Sequence, residues 1–426
     1  MCARKSSGRD FIRSSAAACR QRGTNVTIHE PPELFGADFI RDPYPAYAWL
    51  REHSPVHRFT LPQGMPAWLI TRYEDVRPWL NDPRLGKDLE RFLPPEALPS
   101  PSIRDVLTKN MLHSDPPAHT RLRRLAAKAF TARRVQSLRP RIEEITDELL
   151  DGMGPEGETD LIDTLGLLPI TLIYELLGVP KRDWEAFRRW SVLGSDEQST
   201  GSAEFETATE ALKSYTRELI ADKRVRPGED LLSDLMVVRD GGDGLSDDEL
   251  LAMAFLLLLG GQETTISLIG VAVHHLLRNP DQLALLRAEP ERLPAAIEEV
   301  LRFDGPAMNA SMRFAVEDIE IAGTPIPAGG VVFLGLGSAS HDPEVAPDGD
   351  RFDIRRPARH LAFGHGPHAC IGSALARLEG EIAIGRLLDR YGDLRLAVPE
   401  EELVWRPGMH FRGPAALPVR YRTAPR

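Results

Sequence analysis

Between Glu249 and Leu277 the chain carries its longest helical pattern, and Leu250 to Leu259 is almost wholly apolar. A helix of that kind has to be surrounded on all sides, by lipid or by the rest of a large protein. Spanning a bilayer takes roughly 20 consecutive apolar residues. Here Gly260-Gly261-Gln262-Glu263-Thr264-Thr265 breaks the run at its centre. The segment therefore reads as a core helix with a polar gap. Two glycines cost such a helix roughly 1 kcal/mol each relative to alanine. A Glu and a Thr in apolar surroundings cost more unless they are satisfied or used. Two readings stay open: tight packing at Gly260 and Gly261 with Thr264 bonding back to a carbonyl one turn earlier, or a working site in the gap.

The chain is long enough to enclose such a helix. Its 426 residues fit two or three average domains or one large single-core enzyme. A net charge of −11 argues against nucleic acid as a partner, because duplex binding is driven by neutralising phosphates. Three cysteines, Cys2, Cys19 and Cys370, give no disulfide framework and suit a reducing, cytoplasmic compartment. Residues 1–27 set Arg4, Lys5, Arg9, Arg13, Arg20 and Arg22 against Asp10 alone, with no continuous apolar stretch. They read as a disordered leader or an over-called start rather than a secretory signal or membrane anchor, with a transit peptide as the alternative. Residues 28–426 read as a single domain.

Along the chain, Tyr44 to His53 reads as a helix after a proline-fixed entry, and Val56–Phe59 with Ala67–Thr71 as a strand pair. Residues 84–110, with four prolines and little periodicity, read as a long loop, which in a compact domain is functional or disordered. Asp115 stands as the N-cap of a helix with Leu122, Leu125, Ala126 and Ala129 on one face. His119 and Arg123 share a different face of it. From Arg121 to Arg141 there are eight basic and no acidic residues, either a solvated face or a docking surface. Helices are expected over 142–150, 161–177, 183–193 and 204–223, a β-hairpin over 319–332, and short strands over 403–422.

One further stretch bears on chemistry: Phe363-Gly364-His365-Gly366-Pro367-His368-Ala369-Cys370-Ile371-Gly372, with a helical pattern starting at Ala374. A cysteine at a helix start is often only a small buried hydrophobe. It also meets the positive end of the helix dipole and nearby backbone N–H groups, which favour the thiolate. The glycines would let something flat and bulky approach, and a thiolate held there suits a haem iron. Glu299 and Arg302, three apart, can pair within a helix, a common arrangement that alone means little.

Taken in order, these strings resemble the cytochrome P450 family: the His119/Arg123 helix, Gly-Gly-x-Glu-Thr-Thr at 260–265, Glu-x-x-Arg at 299–302 and the Cys370 loop. The likeness is closest to soluble actinobacterial members that oxidise macrolides and secosteroids. It implies a mainly α fold with small β-sheets, the haem lying between the long central helix and the cysteine loop. It implies haem b with Cys370 as axial ligand, Phe363 and Gly364 in the loop against the haem, and His119, Arg123, Arg313 and His368 on the propionates. Glu263 and Thr264 would relay protons, and Arg356 would lock the Glu299–Arg302 pair. Ala254, Leu258, Met308, Met312 and Phe411 would line an apolar substrate pocket. The implied activity is a monooxygenase inserting one oxygen atom from O2 into a bulky hydrophobic molecule. Electrons would come from a ferredoxin and its reductase, docking on the Arg121–Arg141 face of a monomer. No flavin or NAD(P)H fingerprint is present. A peroxide-using peroxygenase and a non-catalytic haem protein are the alternatives, both disfavoured by the intact Glu263-Thr264 pair. One departure stands out: Ser340-His341-Asp342-Pro343 replaces the family's usual Asn-Arg-Asp-Pro.

Overall fold

The computed structural model describes residues 32–61, 64–93, 98, 100–195, 202–238 and 242–423. The leader expected over residues 1–27 lies outside them. The apolar segment forms one unbroken helix, Asp247–Arg278, running straight through Gly260 and Gly261. Its start is fixed by a capping box: Ser246 Oγ accepts the Glu249 N–H at 3.3 Å, and the Glu249 carboxylate accepts the Ser246 N–H at 2.8 Å. Although long and apolar enough to cross a membrane, this helix is mostly buried inside the protein. It packs against helices Pro101–Thr108, Leu167–Leu177, Ala203–Val225, Leu293–Asp304 and Ser373–Arg390. Those five apolar faces enclose it.

The sheets are small. Strands β1 (Val56–Thr60) and β2 (Pro66–Ile70) pair antiparallel as expected. With β3 (Leu85–Gly86), β5 (Arg313–Ala315) and β8 (Val331–Leu334) they form a sheet of order β1-β2-β8-β5-β3, in which only β2 and β8 run parallel. Strand β4 (Glu156–Asp160) pairs with β10 (Pro418–Arg422), which also pairs with β9 (Asp393–Leu396). Strands β6 (Ile319–Ile321) and β7 (Thr324–Ile326) make a two-stranded hairpin. The fold is mainly α with small sheets, in line with the sequence.

Several local expectations need correction. The stretch 84–110 is not loop alone, since it contains β3 and the helices Leu89–Phe92 and Pro101–Thr108. Gly166 divides the helix expected over 161–177 into Leu161–Leu165 and Leu167–Leu177. The hairpin expected over 319–332 ends at β7, and β8 belongs to the larger sheet. Strand β4, Glu-Gly-Glu-Thr-Asp, has no apolar alternation and exists through its pairing with β10. Asp115 does not cap the helix Ala118–Ala129 with its side chain, because its carboxylate accepts the backbone N–H groups of Lys87 and Asp88 at 3.0–3.3 Å.

The scaffold below the cysteine loop rests on a fully buried ion pair. Arg302 donates to Glu299 through Nε (2.7 Å) and Nη2 (2.9 Å), and both side chains have no exposure. Arg302 Nη1 also donates to the carbonyls of Ser340 (3.2 Å) and Gly349 (2.9 Å), while Glu299 accepts the Asp353 N–H at 3.0 Å. Arg356 approaches Glu299 at 3.6 Å and spends its terminal nitrogens on the carbonyls of Pro347, Asp348 and Arg351. Where the family usually has Asn-Arg, His341 stacks on Tyr44 at 4.0 Å and bonds the Phe303 carbonyl at 2.6 Å.

The helix Ser373–Arg390 hides one carboxyl without a partner. Glu379 is buried, its Oε2 makes no hydrogen bond, and burial alone pushes its carboxyl up to about 8. A carboxyl raised in the fold adds stability below its unfolded value, near 4.3, and loses it as pH rises towards 8. The wild-type unfolding free energy should therefore fall between pH 5 and pH 8, by up to about 1.4 kcal/mol per unit from this group. Glu379→Gln should flatten that slope in urea titrations at several pH values. Parallel slopes for the two proteins would refute the assignment.

Candidate active site

The cysteine loop hangs between helix Leu293–Asp304 and helix Ser373–Arg390. Its turn is set by Gly364 (φ +70°) and Gly366 (φ +75°), in the left-handed region that glycine enters freely. A Cβ on Gly366 would meet the Asn81 side chain at 2.7 Å. The Cys370 N–H donates to the Phe363 carbonyl at 2.8 Å, closing the loop. Phe363 lies under the Arg377 guanidinium, 4.5 Å from the ring centre, and Arg377 pairs with Glu298.

The Cys370 side chain has accessible surface, yet protein surrounds it closely enough that burial is the main influence on its thiol. Together these describe a thiol that is accessible although protein closely surrounds it. Burial pushes the thiol up, opposed by the N–H groups of Gly372 and Ser373 and by Arg123 and Arg377. The sequence expectation that the helix start would favour the thiolate is thus outweighed in the chain alone. Coordination to a metal deprotonates a thiol outright.

Basic side chains crowd the same loop. His119 and His368 lie ring to ring at 4.0 Å. His119 is 3 % exposed with Nε2 unpartnered, and Arg313 is 4 % exposed with Nε unpartnered, although its Nη2 donates to the Leu80 carbonyl at 3.1 Å. Burial pulls Arg313 down to about 10. His368 is held well below its ordinary range by burial and by Lys87, His119, Arg313 and Arg123. Both histidines are therefore neutral donors in the chain alone, not cations. Arg123 donates to the Ala369 carbonyl, so it fastens the loop itself. An accessible thiol on the same loop as His368, with the unpartnered donors of His119 and Arg313 acting on that loop, fits a flat dianion that binds metal, such as a haem.

Across from the loop, Thr264 Oγ1 donates to the Gly260 carbonyl at 2.8 Å, the back-bond foreseen as one of two readings. Gly260 is exposed and a Cβ there would touch nothing within 4 Å, so open room lies beside this turn. Glu263 Oε1 accepts from Arg406 Nη1 at 2.8 Å. Nothing in the sequence signals this pair, which spans 143 residues.

The residues expected to line the substrate pocket lie in different surroundings. Ala254 and Leu258 are buried against Leu177, Phe187, Leu219 and Leu232, inside the helical core. At about 100° per residue, Leu258 lies roughly 120° around the helix from Thr264, so it cannot share that face. Met308 is also core, 4 % exposed and close to Gly337. Met312 is partly buried, and Phe411, 36 % exposed, is joined to Ala307 by a backbone bridge. The basic run is also partly neutralised. Arg121 pairs with Asp243 and Glu249, Arg134 with Asp234, Arg139 with Glu143, and Arg141 with Glu175 and Glu144. Arg124, Lys128 and Arg133 are exposed.

Comparison with known proteins gives the same assignment. A family model described as Cytochrome P450 matches residues 193–402. The cytochrome P450 monooxygenase PikC of Streptomyces venezuelae is 48 % identical over 94 % of this chain and 97 % of its own length. The chain belongs to the cytochrome P450 family. The vitamin D(3) 25-hydroxylase of Pseudonocardia autotrophica is 45 % identical over 92 % of this P450 and 97 % of that enzyme. The solved Bacillus subtilis P450 PksS, from a bacillaene polyketide synthase system, superposes with a TM-score of 0.86 at 38 % identity, covering 91 % and 99 % of the two chains. As a P450 monooxygenase this protein works with a haem iron and O2.

The two glycines of the site should respond oppositely to alanine. Gly366→Ala forces a left-handed residue against Asn81 and should cost about 1–3 kcal/mol in thermal or urea unfolding. Gly260→Ala meets only open room and should stabilise the helix by up to about 1 kcal/mol, while weakening the binding of bulky azole ligands followed by absorbance. Equal effects at both positions would contradict the geometry.

Proposed function

We propose that this P450 holds haem b with Cys370 as its axial thiolate and oxidises a bulky, hydrophobic, natural-product-like molecule. The observation that carries the reading is the accessible Cys370 thiol, with basic groups of Arg123, His119, His368 and Arg313 acting around its loop. The bound haem would supply the oxygen chemistry, insertion of one atom of O2 into a C–H or C=C bond.

The chain's own groups have separable tasks. The N–H groups of Gly372 and Ser373 point at the Cys370 sulfur and temper its electron donation. Phe363 and Gly364 shape the loop against the haem face. His119, Arg313 and His368 offer N–H donors to the propionates, and Arg123 braces the Ala369 carbonyl beside them. Glu299, Arg302 and Arg356 keep the loop's footing rigid. Thr264 Oγ1, now bonded to Gly260, can turn its proton towards the open room one helical turn away. The Glu263 carboxylate, held by Arg406 at the helix surface, replaces that proton from solvent. Met312 and Phe411 remain in the substrate-facing set, which favours apolar contact. The 6-deoxyerythronolide B hydroxylase of Saccharopolyspora erythraea and the vitamin D(3) hydroxylase are similar over almost their whole length, which supports a macrolide- or secosteroid-like substrate. We read the protein as a cytoplasmic monomer served by a ferredoxin and its reductase. An acidic ferredoxin would dock over the basic Arg121–Arg141 face, where Arg124, Lys128 and Arg133 are exposed.

The reduced protein under carbon monoxide should show the red-shifted Soret band of a thiolate-bound haem, and Cys370→Ser should abolish it. Thr264→Ala should keep the band but divert electrons to peroxide, lowering product per NAD(P)H consumed by about tenfold or more in a reconstituted ferredoxin system. Full coupling in that variant would refute the proton-relay role.

A further inference from the structure

One buried cation of the site has no role in what precedes. Lys87 is 1 % exposed, and the hydrogen bond from its ammonium goes to the Ser311 hydroxyl, a neutral group. Strands β3 and β5 pair Leu85 with Ala315 and Gly86 with Phe314. Continued by one residue, this antiparallel register sets Lys87 opposite Arg313. Like charges facing each other across a ladder are destabilising, and burial raises that penalty because no water screens them.

The groups around this pair do not neutralise it. Lys87 acts on His113, His119, His368 and His410, all held below their ordinary range and hence neutral. Asp115 is the acid acting on both Lys87 and Arg313, and its oxygens already accept the backbone N–H groups of Lys87 and Asp88. Burial and Arg313 push the Lys87 ammonium well below its usual range in the chain alone. Among the described residues, Lys87 and Arg313 therefore stand against one carboxylate, and Arg123, which acts with them on His368, adds a third cation. Two further negative charges would balance the cluster, and a porphyrin carries two propionates.

We propose that Lys87 is a further haem-propionate ligand, its ammonium donating to the carboxylate that lies against Arg313, with Ser311 Oγ as a second donor to the same group. This rests on the haem reading above. The nearby unpartnered Nε of Arg313 and Nε2 of His119 make the anion's position a convergence of donors from the residue after β3, from β5 and from the helix Ala118–Ala129. Lys87 is then a cofactor-positioning group. Its removal leaves one propionate short of a charged donor and loosens the haem.

The test uses the intact holoenzyme with Lys87→Met, Lys87→Gln and Lys87→Arg. Haem transfer to apomyoglobin should be faster by about tenfold in the Met and Gln variants, as expected for loss of one charge-assisted bond. The Arg variant should stay within about threefold of wild type. The resonance Raman propionate-bending band should shift in Met and Gln but not in Arg, a readout that a purely structural lysine would not move. The reduction potential should become more negative when the positive charge is lost. Unchanged transfer rate, Raman band and potential in Lys87→Met would overturn the proposal. So would an effect confined to the affinity for carboxylate-bearing substrates, which would place the ammonium in the substrate pocket. If Lys87→Met does not fold, Gln against Arg gives the same comparison. Failure of the haem reading would show separately, as absence of the thiolate-haem band in wild type.

Discussion

Two opposite charges with no contact to water, Glu299 and Arg302, underlie much of the site's geometry. Removing both from solvent is costly, and the cost is recovered only if every lone pair and proton finds a partner. Here Arg302 reaches beyond its own helix to the carbonyls of Ser340 and Gly349, and Glu299 takes the Asp353 N–H. The irregular backbone of 340–356 has few ladder bonds of its own, so these side-chain bonds hold it in place. That backbone leads into the cysteine loop, and the position of a single sulfur atom depends on it. A buried pair of this kind acts as a positional clamp, whatever its net contribution to stability.

On the other side of the sulfur the electrostatics are reversed. Beneath the loop Glu299 and Glu298 have their counter-charges in Arg302 and Arg377, whereas Arg313 and Lys87 share Asp115 as their acid. The neutral state of His119 and His368 follows from this imbalance together with burial. A site with satisfied charge on its structural side and surplus charge on its ligand side is preorganised for an anionic, flat guest. The Thr264–Gly260 bond shows the same economy on the distal side, where a hydroxyl is parked on its own helix until another acceptor is available.

Much of this was legible from residues alone, because the decisive strings are local. The Cys370 loop, Glu299 with Arg302, and Gly260 to Thr265 each lie within ten residues, and their spacing carries their geometry. Long-range features were not legible. Arg406 meets Glu263 from 143 residues away, and Lys87 faces Arg313 only because β3 and β5 come together. The surroundings of Ala254 and Leu258 were not legible for a different reason. Being apolar and near the motif, they passed a composition test, but the helix turns them towards Leu177 and Phe187. In the basic run, sequence shows the arginines of 121–141 but not the acids that fold back onto several of them. Strand β4 formed against its own composition because β10 supplied the partner.

The surplus of cations also bears on how such a chain matures. A pocket lined by mutually repelling groups is least comfortable while it is bare, so binding an anionic guest and completing the fold become one linked equilibrium. By mass action the population of well-folded chains then rises with the free concentration of that guest. Yield in a host cell becomes a matter of porphyrin supply as much as of chain sequence, and a host short of tetrapyrrole would accumulate partly folded chains open to proteolysis.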